Sequence, residues 1–82
     1  MPHYHFDLYN DVITLDDEGR DLPDGAAAHS VAISEARVMM ADSITTGSIN
    51  LGHRIEVRDR HGVIESVRFG DAVEVIDQAD PG

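Results

Sequence analysis

One helical stretch, Asp24 to about Thr46, lies between two segments whose residues alternate between apolar and polar. The first segment is Tyr4-His5-Phe6-Asp7-Leu8 and the second is Arg54-Ile55-Glu56-Val57-Arg58. A helix repeats every 3.6 residues and a strand every two, so the two patterns are not interchangeable. One-sided strands and a one-sided helix bury their apolar faces by packing on each other. The chain therefore reads as a small α+β domain of order β-β-α-β-β, an antiparallel sheet with one helix packed on one face.

The first strand runs from about His3 to Tyr9, with Tyr4, Phe6 and Leu8 on one side and His3, His5, Asp7 and Tyr9 on the other. Asn10-Asp11 signals a turn, because both side chains can bond nearby amides. Val12-Ile13-Thr14-Leu15 is rich in β-branched residues and completes a hairpin. A polar loop, Asp16 to Asp21, leads to Leu22-Pro23-Asp24, where Asp24 is the expected N-cap. On the helix, Ala28, Ala32, Ile33, Ala36, Met39, Met40 and Ile44 form the face expected to pack on the sheet. Gly47 is placed to end the helix in the left-handed conformation. A further strand is expected over His53–Asp59, with Ile55 and Val57 inward. A turn ending at Gly62 leads to a last strand, Val63–Phe69, whose Val63, Val67 and Phe69 share one face with Glu65. Ala72–Ile76 fits either a short strand or a helical turn. The expected domain covers residues 1–77, and 78–82 is expected to fray.

At 82 residues a single core is marginal, and chains this small usually gain support from disulfides, a metal or a partner subunit. The absence of cysteine removes disulfides and thiolate metal sites. A homodimer is the simplest remaining support. The net charge is −10, and all six basic residues are arginine. Such a surface repels phosphate backbones and anionic membranes, so neither nucleic acid nor membrane is an expected partner. A basic protein partner fits the charge. No apolar run is long enough to span a bilayer, and residues 1–5 lack the features of a signal peptide. The expected location is the cytoplasm.

Several pieces stand in an order that resembles a known family. Met1-Pro2 precedes an aromatic strand ending in Phe6-Asp7. Then come Asp16-Asp17-Glu18-Gly19, Leu22-Pro23-Asp24 and an alanine-rich helix. Arg54-Ile55-Glu56-Val57-Arg58-Asp59 follows, with Gly62 in the next turn, and Phe69-Gly70-Asp71-Ala72 closes the series. Together they resemble a family of small bacterial proteins, a domain of unknown function common in alphaproteobacteria of soil and plants. The resemblance covers nearly the whole chain and implies a compact β-β-α-β-β domain. It implies no activity. His3 and His5 depart from the family pattern, which tends to have arginine and an aromatic there.

Little in the sequence carries chemistry. No glycine-rich phosphate loop exists, since Gly47-Ser48-Ile49-Asn50-Leu51-Gly52 lacks a lysine and the Walker spacing. No serine sits on a nucleophile turn, and a single sheet layer offers little concave volume. No catalytic residue and no cofactor is assigned, and the chain is not expected to be an enzyme. His3 and His5 project two residues apart on one strand face, where a metal could bridge them with His53 or Asp7 as a third ligand. A solvent-facing polar edge at the start of the chain is the simpler reading of the pair, and the one expected here. The acids of Asp16-Asp17-Glu18, Asp21 and Asp24 lack EF-hand spacing and suit a solvated loop near the positive helix start.

Two surfaces could mediate contacts. Val31 and Val38 lie seven apart on the helix, away from its expected core face. Ile13 and Ile64, with Tyr9, are expected on the outer face of the sheet, where paired sheets or paired edges would bury them. The sequence thus points to a non-catalytic, self-associating interaction module. The alternatives are an antitoxin-like or regulatory component that binds a basic protein, and a histidine-based metal binder.

Overall fold

The computed structural model describes residues 1–78. Its elements are β1 (His3–Tyr9), β2 (Ile13–Thr14), β3 (Arg20–Asp21), α1 (Gly25–Ile44), β4 (Arg54–Asp59) and β5 (Gly62–Arg68). The expected β-β-α-β-β order holds, with β3 as an addition. The sheet is antiparallel in the order β2-β1-β4-β5, and β3 pairs with the opposite end of β1 from β2. The two-residue β3 has no periodicity of its own, which is why Arg20–Asp21 reads as loop in the sequence.

Alternation along β1 and β4 builds the inner face. Phe6 opposes Val57 and Leu8 opposes Ile55, so their side chains stack beneath the helix. Ile55 and Val57 are fully buried, each contributing about 2 kcal/mol of hydrophobic stabilisation. Tyr4, Phe6, Val67, Phe69 and Ala72 complete the sheet side of the core.

The helix begins where Asp24, in extended conformation, accepts the Ala27 amide on its carboxylate at 2.9 Å. Ala28, Ala32, Ala36 and Met40, one every four residues, form its buried row, and Ile33 and Met39 pack at the margin. Ile44 was expected on this face but is 55% exposed. Twenty residues of helix extend about 30 Å, whereas the longest strand has seven residues, about 23 Å. The last turn therefore runs past the sheet. Gly47 follows with φ of 101° and donates its amide to the Ile44 carbonyl.

The last strand departs from simple alternation. Val57 opposes Glu65, but Arg58 opposes Val63, so Ile64 forms a bulge. Beyond the bulge the faces exchange. Val63, expected inward with Val67 and Phe69, is instead 57% exposed. A 3-10 turn, Phe69–Asp71, follows β5. Its start is tied to the chain before β4, the Phe69 amide donating to the His53 carbonyl and the Gly70 amide to the Leu51 carbonyl. The Arg37 guanidinium caps the Ala72 carbonyl at 2.6 Å. Residues 74–78 belong to no element, so Ala72–Ile76 is neither strand nor helical turn. All of the expected frayed tail except Gln78 lies outside the described residues. No helix among the described residues is long and apolar enough to cross a membrane.

Candidate functional site

The densest polar cluster lies on the outer face of the sheet, where alternation sends His3, His5 and Asp7 from β1 and Arg58 from β4. Asp7 is the only buried charged residue described, at 2% exposure. Its carboxylate accepts Arg58 Nε at 2.7 Å and Arg58 Nη2 at 3.2 Å, and it also accepts the Asp16 amide at 2.9 Å. Burial pushes the Asp7 carboxyl up, but the guanidinium and the amide outweigh it and hold it below the ordinary carboxylate range.

Asp16 fastens the loop between β2 and β3 onto this pair. Its carbonyl accepts from His5 Nδ1 at 2.7 Å and from Arg58 Nη2 at 3.2 Å. Its carboxylate accepts the amides of Phe6, Glu18 and Gly19. Burial acts on Asp16 as on Asp7, and the Gly19, Phe6 and Glu18 amides again prevail and lower its pKa. Between β2 and β3, the Asp16 side chain thus supplies the hydrogen bond that a neighbouring strand would give Phe6.

Gly19 allows the loop to close. Its φ is +66°, and a Cβ there would lie 2.5 Å from the Tyr4 carbonyl oxygen and 2.7 Å from His3 Nε2. His3 Nδ1 meets the Asp21 carboxylate and Nε2 meets the Glu18 carbonyl, both at 2.7 Å. Both partners are acceptors, so this geometry suits the doubly protonated ring. The Asp21 hydrogen bond foremost, then the Glu18 carbonyl, raises the His3 pKa.

These commitments bear on metal binding. Both His3 nitrogens, His5 Nδ1 and the Asp7 and Asp16 carboxylates already hold partners within the chain. His53 stands elsewhere, edge-on to Phe69 and 3.8 Å from Asp11. Among the described residues no group of three His, Cys, Asp or Glu side chains is placed to hold a metal ion. A hollow of about 540 Å³ opens beside His3 and Tyr4, bordered by Pro2 and the Asp59–His61 turn.

The four residues singled out as an interface are scattered. Val31 is partly buried and packs against the core, while Val38 is exposed. Ile13 and Ile64 are exposed at opposite edges of the sheet. Between them the outer face carries Tyr9, Arg54, Glu56 and Arg58. The Arg54 guanidinium lies 4.2 Å over the Tyr9 ring, and its Nε donates to Glu56. The outer face is therefore polar at its centre, with Ile13 and Ile64 at its edges.

Sequence reasoning missed the Asp7–Asp16–Arg58 network, although its parts were visible. Phe6-Asp7, Asp16–Gly19 and Arg54–Asp59 each carry the family resemblance, and the fold brings all three together. The sequence model of one family, described as Domain of unknown function (DUF6894), matches residues 3–70. No curated protein and no solved structure matches the chain.

Proposed function

We propose that this chain, which belongs to the family of unknown function DUF6894, is a non-catalytic, self-associating protein-interaction module of the bacterial cytoplasm. The observation that supports this reading is the orientation of its polar cluster. Asp7, Asp16, His3 and Arg58 turn their polar atoms toward one another and toward backbone groups, holding a loop on a strand. No side-chain polar atom buried among the described residues lacks a partner. A catalytic group needs a free atom aimed at substrate, and this cluster is organised for closure instead. Apolar side chains meanwhile remain exposed, Ile13, Val63 and Ile64 on the edge strands and Val38 on the helix.

The solution mass tests the reading. Light scattering on the purified chain, with and without a chelator, is expected to give a dimer that ignores the chelator. A monomer at tens of micromolar counts against self-association, and a chelator-sensitive assembly favours the histidine metal reading. The −10 charge supports a second reading, a regulatory or antitoxin-like component that covers a basic protein. Co-purification of a basic protein from the native host would favour it.

A further inference from the structure

The geometry points to a binding site for a small organic acid in the hollow beside Tyr4, with the carboxylate held by Arg60 and the Tyr4 hydroxyl. This site is independent of the self-association proposed above.

The hollow follows from the register of the sheet. β1 and β4 pair from Tyr9 and Arg54 as far as His5 and Arg58. β1 continues to His3, whereas β4 ends at Asp59 and turns through Arg60-His61 into β5. The two strands thus part, and about 540 Å³ opens between Pro2–Tyr4 and the Asp59–His61 turn. Small-molecule sites commonly have volumes of about 300–1,000 Å³.

Tyr4 supplies a donor that the fold does not use. The residue belongs to the core and is 5% exposed. Among the described residues its hydroxyl has no hydrogen-bond partner. No fully buried side-chain polar atom described lacks one, so the hydroxyl sits in the small part of Tyr4 that stays open. Tyr4 lines the hollow.

Arg60 supplies the charge. Arg20, Arg37, Arg54 and Arg58 each hold a carboxylate or a carbonyl of the chain. Arg60 holds neither. Its Nε donates to His61 Nε2 at 3.2 Å, which leaves both terminal nitrogens without a partner among the described residues. A guanidinium presents those nitrogens as a fork that matches a carboxylate. Asp59, the acid that borders the hollow, is tied into its own turn, where it accepts the His61 amide at 2.7 Å. An arginine without an acid, beside a wall of Pro2 and Tyr4, suits an anion with an apolar body.

The test follows amide shifts of the isotope-labelled full chain as benzoate is added at constant ionic strength. Saturable shifts are expected at His3, Tyr4 and Asp59–Gly62, with a dissociation constant on the order of 1 mM. Tyr4→Phe keeps the ring and removes only the hydroxyl, and it is expected to weaken binding about fivefold. Arg60→Gln is expected to weaken it at least about tenfold. Arg68 also lacks an acid but lies at the opposite end of β5, so Arg68→Gln should leave binding unchanged. Asp59→Asn should tighten it by removing a like charge. Absence of a saturable shift, or equal weakening in Arg60→Gln and Arg68→Gln, overturns the site. Undiminished binding in Tyr4→Phe overturns the role of the hydroxyl. Inorganic phosphate that shifts the same amides as tightly as benzoate overturns the organic-acid assignment.

Discussion

Arg58 grips Asp7 through two hydrogen bonds that join positions 51 residues apart, and the two ends of the grip are unequally buried. The Asp7 side chain is 3% exposed and that of Arg58 is 33% exposed. Removing the arginine strands a buried carboxylate, whereas removing the carboxylate leaves a guanidinium that can turn to solvent. Arg58→Ala is therefore expected to cost about 3 kcal/mol, and Asp7→Ala less. Urea unfolding of both variants and of the double variant checks this, since the pair predicts strong non-additivity.

Gly19→Ala is expected to destabilise by at least about 2 kcal/mol, from the positive φ and the collision with the Tyr4 carbonyl together. Gly25→Ala provides the contrast. Open space surrounds its Cβ position at the start of α1 and its φ is not positive, so a gain of about 0.5 kcal/mol is expected. Thermal or urea unfolding of the two variants should move in opposite directions.

Stability should fall on both sides of an intermediate pH range. His3 has a raised folded pKa, so its contribution is complete below its ordinary value of 6.5 and is lost as pH rises through the raised value. Asp7 and Asp16 have lowered folded pKa values. Their contributions are complete above the ordinary 3.8 and are lost as pH falls through the lower values. Unfolding midpoints measured across both limbs check the signs. In His3→Gln the neutral limb should flatten while the acid limb stays.

Asp24→Ala removes the side-chain acceptor for the Ala27 amide and should cost about 1 kcal/mol. Asp24→Asn should cost much less, because it retains an acceptor oxygen. Helix content by circular dichroism during unfolding compares the two.

What could be read in the sequence was local or periodic. The cap at Asp24 needs only its next three residues, and Ile55 and Val57 declare their face by alternation. Val63 was misplaced because a bulge at Ile64 interrupts that alternation, and a bulge has no period to detect. Ile44 was misplaced because the helical period says nothing about where the sheet beneath it stops. The Asp7–Arg58 pair was invisible for a different reason. It depends on the register of β1 against β4, which sets His5 opposite Arg58 and leaves Asp7 within its reach. The Asp16–Gly19 spacing is a recognisable turn signal, but its docking site on β1 is a tertiary fact.

The loop pinned by Asp16 also governs how the sheet can grow. With β1 flanked by two-residue strands and a turn, that side offers little backbone for a newcomer. Fibrils lengthen by adding strands at both ends of a stack, and among the described residues the sheet presents only one usable end. The Asp16 turn therefore acts as a stopper on the β1 side, which leaves growth of the sheet to the β5 side alone.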